Sequence, residues 1–140
     1  MGMTWLPYAL VSAAAAALTA ILAKIGVEGV PSTLATAVRT VVVTAFAWLI
    51  ALSMNEHRAV ASVSRRSWLF LLLSGVATGV SWLAYFRALQ LAPASRVAPI
   101  DKLSLPLTIV LAGLWLGEPI GARVAAGVAL MTVGALLTLG

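Results

Sequence analysis

Asp101 and Lys102 stand side by side near the start of "VAPIDKLSLPLTIVLAGLWLGE", residues 97–118, a run otherwise apolar until Glu118. A carboxylate and an ammonium in such a run can bind a polar solute, carry an ion or relay a proton. A charge at the centre of a bilayer costs roughly 2.5 to 3.5 kcal/mol on insertion scales, so ionisable residues there face a bundle interior or water. Arg39 and Arg87 fall in apolar runs of the same kind. On an ideal helix Asp101, Ser104, Thr108 and Trp115 share one face, being three, four and seven residues apart. Lys102 lies about 100° round from Asp101, which argues against a simple mutual salt bridge. Each charge is expected to find a partner on another helix or in a polar cavity, and Arg39 is the obvious one for Asp101. Pro99 and Pro106 bracket the pair. Each lacks an amide donor and obstructs the bond one turn back, and the carbonyls so freed need neighbours, water or a ligand. A kinked helix beside two charges predicts a binding cavity. The alternative is a kink that only serves packing, with both charges reaching the nearer interface.

A second group lies upstream. Ser74, Thr78, Ser81 and Tyr85 follow the helical repeat, and Gly75 and Gly79 form a G-x-x-x-G pair on an adjacent strip. The glycines fit close helix packing, while Ser81 and Tyr85 are candidates to line a substrate path. Trp82 and Tyr85 sit away from the span ends where aromatic rings favour the headgroup region, so they either line a cavity or pack helices. Trp5, Tyr8, Trp48, Trp68 and Trp115 do fall near span ends.

Long apolar helices must position these side chains. Of 140 residues 62% are hydrophobic and 9% charged, and the mean hydropathy is +1.07, far from the usual composition of a water-soluble domain. About 20 apolar residues cross the ~30 Å hydrocarbon core. Cutting the chain at its polar and turn residues gives five spans, 4–23, 33–54, 68–91, 97–116 and 122–139, as one membrane domain over 1–140. The loop "IGVEGVPS" separates the first two, and "NEHRAVASVSRRS" is the hydrophilic connector before the third. The fold class is all-α integral membrane. The first ten residues, "MGMTWLPYAL", carry no positively charged leader, and the apolar segment after them reads as the first span rather than a signal peptide.

Other chemistries are poorly supported. There is no cysteine and His57 is the one histidine, so no metal site and no cofactor are expected. No Gly-rich phosphate loop follows a strand and no serine has a histidine at membrane depth, which disfavours an enzyme. The net charge of +5 comes from scattered cations, which disfavours nucleic acid as a partner. With five spans, Arg58, Arg65, Arg66 and Arg123 approach one membrane face and Lys24, Arg39, Arg87, Arg96 and Lys102 the other. Counting every cation leaves almost no bias in orientation, as for a chain inserted both ways. Counting loop cations alone places the N-terminus in the cytoplasm.

The chain resembles one repeat of the drug/metabolite transporter superfamily, of the EamA type. The likeness is carried by "GVSWLAYFRALQLAPASRVAPIDKLSLPLTIVLAGLWLGEPI", with its mid-helix Pro106 and the "LGE" at 116–118, and by the closing "GVALMTVGALLTLG". Lys24 and Arg39 match positions where the family often carries basic residues, and the "DKLS" at 101–104 looks at home in its short five-span branch. Most relatives with the motif have ten spans in two oppositely oriented repeats. The resemblance therefore implies one inverted-repeat unit whose other half comes from a second chain, in an antiparallel homodimer or a heterodimer with a related chain.

The reading that follows is a multi-pass protein of the inner (cytoplasmic) membrane, surrounded by lipid, that moves small metabolites by secondary transport and alternating access. Arg39, Asp101 and Lys102 would form the polar centre, with Ser81, Trp82, Tyr85 and Ser104 lining the path of the small-molecule substrate. Lys24, Arg39, Arg87, Arg96 and Lys102 outnumber Glu28 and Asp101 at that end, which favours a substrate with an anionic group such as an amino acid. The rivals are a lipid-carrier flippase subunit and a non-transporting accessory subunit.

Overall fold

A computed structural model describes residues 3–139, and among them the regular structure is all helical. Helix α1 runs Leu6–Gly26, α2 Ser32–Ser53 and α3 Arg65–Leu91. A tight 3-10 run, Glu56–Ser62, sits in the hydrophilic connector and packs on α2. The fourth apolar run, 23 residues from Ala94 to Leu116, is in three pieces: α4 Ala94–Asp101, α5 Ser104–Leu111 and a widened π turn Ala112–Leu116. Helix α6, Ala122–Leu137, completes the chain. The chain is thus an all-α membrane protein of about five helices.

At 1.5 Å per residue, α1, α2 and α3, with 21, 22 and 27 residues, are about 31 to 40 Å long, enough to cross a bilayer. Each stops where the sequence supplies a stop. Gly29 (φ 69°) and Pro31 separate α1 from α2. Asn55 ends the region of α2 in the left-handed conformation (φ 58°), which asparagine tolerates better than most residues. Pro93, extended, precedes α4. Gly117 (φ 67°) closes the π turn, where its amide and that of Glu118 both donate to the Ala112 carbonyl. That geometry explains the glycine of "LGE": an L side chain at this φ is strained.

The chain divides into two compact units, one of residues up to Leu22 together with those from Leu91 onward, the other Ala23–Gln90. In the first, α6 packs against α4 and α5, and Ala20, Val97 and Ala135 are buried. In the second the buried residues are Val27, Thr36, Phe86 and Leu89. Most large side chains point outward, including Val41, Leu49, Leu71, Leu130 and Leu137. Burying such a side chain is worth about 1.5 to 3 kcal/mol in water, so this much outward apolar surface requires lipid or a protein partner. The small residues share that outward placement. Nothing within 4 Å would meet a Cβ at Gly75, Gly79, Gly127 or Gly134, so these strips do not serve close packing inside their own units.

Candidate functional site

In the Ala23–Gln90 unit, polar chemistry gathers where α1 and α3 end and α2 begins. A helix leaves its last four carbonyls without intrahelical donors, and in a membrane each must be satisfied. Lys24, in the last turn of α1, donates from Nζ to the Leu89 carbonyl near the end of α3. Gln90, in the last turn of α3, donates from Nε2 to the carbonyls of Val30 (2.6 Å) and Val27 (3.4 Å) just beyond α1. Each helix end caps the other, across 60 or more residues of sequence. Arg87 donates to the Gln90 Oε1 at 3.2 Å, which uses the amide's remaining side. Val27 and Leu89 are almost fully buried, whereas Lys24 and Gln90 are half-buried and Arg87 is exposed, so the junction has a buried apolar floor and a partly open polar edge.

Arg39 has a different environment. It lies seven residues into α2, about 10.5 Å from the first residue of that helix. Its Cζ sits 4.3 Å over the Trp82 ring centroid and 5.4 Å over that of Phe86. Phe86 is buried and its ring lies 6.4 Å from that of Tyr85. Cation–π attraction is worth about 2 kcal/mol or more when desolvated, which accounts for the placement. The neighbouring hydroxyls are engaged elsewhere: Thr36 donates to the Ser32 carbonyl and Thr40 to that of Thr36, both at 2.8 Å.

In the other unit, Asp101 and Lys102 mark the break between α4 and α5. Pro106 cannot donate to the Lys102 carbonyl, its normal acceptor one turn back, and its ring crowds that oxygen. The carbonyl takes the Leu105 amide instead, at 2.9 Å, in a tighter turn. The Leu103 amide reaches Ile100 at 3.0 Å in the same fashion, and the ψ angles of Lys102 and Leu103 open to −6° and −14°. Pro106 thus sits just beyond a break in the helix, while Pro99 is carried inside α4. The break lies about 10.5 Å from Ala94, deeper than a span beginning at Val97 implies.

The expectation that Asp101 and Lys102 do not pair is corrected here. Lys102 Nζ lies 3.3 Å from Asp101 Oδ2, the one ion pair among the described residues, and the two side chains are 55% and 37% exposed. The 100° offset assumed a continuing helix. Asp101 ends α4, Lys102 is its cap, and a four-carbon stem closes the remaining angle. Within its own unit the partner found for Arg39 is an aromatic pair.

Of the other residues singled out from sequence, Trp82 and Tyr85 are half-buried beside Phe86, and Ser81 is exposed on α3. Ser104 opens α5, exposed, and its carbonyl accepts the Thr108 hydroxyl at 2.8 Å. The structure brings Arg39 together with Trp82 and Asp101 with Lys102. Two residues were missed. Gln90 was legible only as a polar residue at a span end, and Phe86 as one more aromatic; neither type predicts a cross-helix bond.

The model of the EamA-like transporter family matches residues 3–140. A protein of Sinorhizobium sp. named "Uncharacterized transporter in cobO 3'region" is 47% identical over 137 residues, covering 98% of this chain and 97% of its own. No solved structure matches.

Proposed function

The chain belongs to the EamA-like transporter family, a membrane transporter family, and from that premise we propose that it is a secondary transporter of small metabolites carrying an anionic group. It works by alternating access in the cytoplasmic membrane, paired with a second copy in the opposite orientation. The observation that carries this reading is the break between α4 and α5. Inside a run long enough to span a bilayer, two tight turns set a carboxylate and an ammonium side by side and partly open. Discontinuous spans of this kind are where transporters place substrate and coupling ions, because irregular backbone at membrane depth is tolerated only beside protein or a water-filled cavity. An exposed ion pair contributes little to stability, so its presence at that depth supports a functional role. The outward glycine strips of α3 and α6 suit a second copy as the packing partner.

The test is counterflow and ion-gradient-driven uptake of radiolabelled amino acids and organic acids in proteoliposomes, for the wild type and Asp101→Asn. Uptake of at least one solute, reduced tenfold or more in the variant while the protein remains folded by gel filtration and circular dichroism, supports the reading. Unchanged uptake and pH dependence in Asp101→Asn would remove the broken helix from the mechanism. For orientation, the chain has no cysteine of its own, so Ser62→Cys and Gly140→Cys can be labelled in intact cells with an impermeant thiol reagent. Both sites labelling in part is the expected result, and labelling confined to one of them excludes the antiparallel pair.

A further inference from the structure

The geometry points to Arg39 as the receptor for the substrate's carboxylate, a guanidinium held in place by Trp82 and Phe86 with its N–H edge left for a planar anion. The inference rests on the transporter reading and names the chemistry of one of its contacts. Among the described residues Arg39 makes no hydrogen bond and no ion pair; its recorded partners are two aromatic rings. The carboxylates of its own unit are Glu28 and Glu56. Glu28 lies exposed in the loop between α1 and α2, and Glu56 in the tight run after α2. A guanidinium carries five donors and cannot shed its proton, so one in an apolar span with no acceptor in its own unit calls for water or an anion beside it.

The other two cations at this end of the same unit have partners. Lys24 holds the end of α3 and Arg87 holds Gln90. Of these three cations of the Ala23–Gln90 unit, Arg39 is therefore the one whose donors no protein acceptor takes. Its environment favours a solute over a lipid phosphate. A headgroup would draw the flexible arginine toward the rim, yet it rests on Trp82, nine residues or about 13.5 Å from the last residue of α3. A carboxylate matches the guanidinium fork with two parallel hydrogen bonds, a match that an ammonium on the same stem cannot reproduce. The neighbouring Thr36 and Thr40 hydroxyls, both donating to the backbone, add no further donors for a phosphate's third oxygen.

The ring beneath the arginine is also the reporter. With Trp5, Trp48, Trp68 and Trp115 replaced by phenylalanine, Trp82 alone emits, and its fluorescence can be titrated in phosphatidylcholine nanodiscs with propionate, glutamate, inorganic phosphate and tetrapropylammonium. A saturable change with at least one carboxylate is expected, with phosphate at least tenfold weaker and the quaternary amine silent. Arg39→Lys should weaken the response tenfold or more, Arg39→Gln should abolish it, and Arg87→Gln should leave it as it was. No response to either carboxylate, a response that survives Arg39→Gln, or one evoked instead by adding phosphatidylglycerol to the nanodiscs overturns the assignment, the last in favour of a lipid headgroup. Because the titration needs no flux, it separates the two readings: binding without uptake refutes transport and spares the site, and uptake indifferent to Arg39 refutes the site and spares transport.

Discussion

The helix junction of the Ala23–Gln90 unit and the break between α4 and α5 meet the same demand in opposite ways. Both must satisfy backbone groups in a medium that offers no water. At the junction the donors are side chains from a distant part of the sequence, Lys24 and Gln90, and they tie two helix ends together around the buried Val27 and Leu89. At the break the donors are amides three residues away, and the charges that mark it pair with each other while staying partly open. Long-range satisfaction fixes helices to one another. Local satisfaction leaves a segment able to change its turn type without breaking a long-range hydrogen bond. The first arrangement suits a scaffold and the second a moving part.

If that contrast is right, stabilities should move in opposite directions. The largest effect is expected from Pro106→Ala, which returns an amide to position 106 and allows the Lys102 carbonyl its usual bond. Proline inside a helix costs about 3 kcal/mol, so the variant should gain about 1 to 3 kcal/mol in detergent unfolding while losing tenfold or more in uptake. A loss of stability would mean the break is the preferred state of this segment. Lys24→Met comes next. It keeps the apolar stem and removes the donor from the carbonyl of the buried Leu89, for an expected loss of about 1 to 3 kcal/mol measured in the same unfolding experiment. A change within error would show the junction to be open to water. Smallest is the stability effect of Asp101→Asn. A pair this exposed is worth less than about 1 kcal/mol, far below the penalty for splitting a buried one, and a larger loss would show that it is structural after all.

Much of this architecture is legible in the residues, and the reason differs from part to part. The helices follow from hydropathy and from Gly29, Pro31, Pro93 and Gly117, which are local signals. The disturbance of the fourth span is legible in Pro99 and Pro106, but the jump from a bend to a break depends on Leu103 and Lys102 opening together, and the widened turn at 112–116 has no residue that announces it. The pairing of Asp101 with Lys102 was misread because an ideal helix was extended through a place where the helix ends. Arg39 and Trp82 were both recognisable as candidates, yet their mutual contact depends on the register of α2 against α3. Opposite charges attract notice in a sequence; a cation and an indole 43 residues apart do not.

The reciprocal capping of α1 and α3 also bears on how the chain is made. Lys24 and the Val27 and Val30 carbonyls enter the membrane with the first hairpin, whereas Gln90 and the Leu89 carbonyl emerge from the ribosome more than 55 residues later. At 5 to 20 residues per second that is an interval of about 3 to 12 s. Through it the hairpin's turn must keep its carbonyls in the headgroup water, and it can sink to its final depth only when the third helix arrives to take them over. A chain halted after α2 therefore lacks both the Gln90 donor to the Val27 and Val30 carbonyls and the Leu89 carbonyl that receives Lys24.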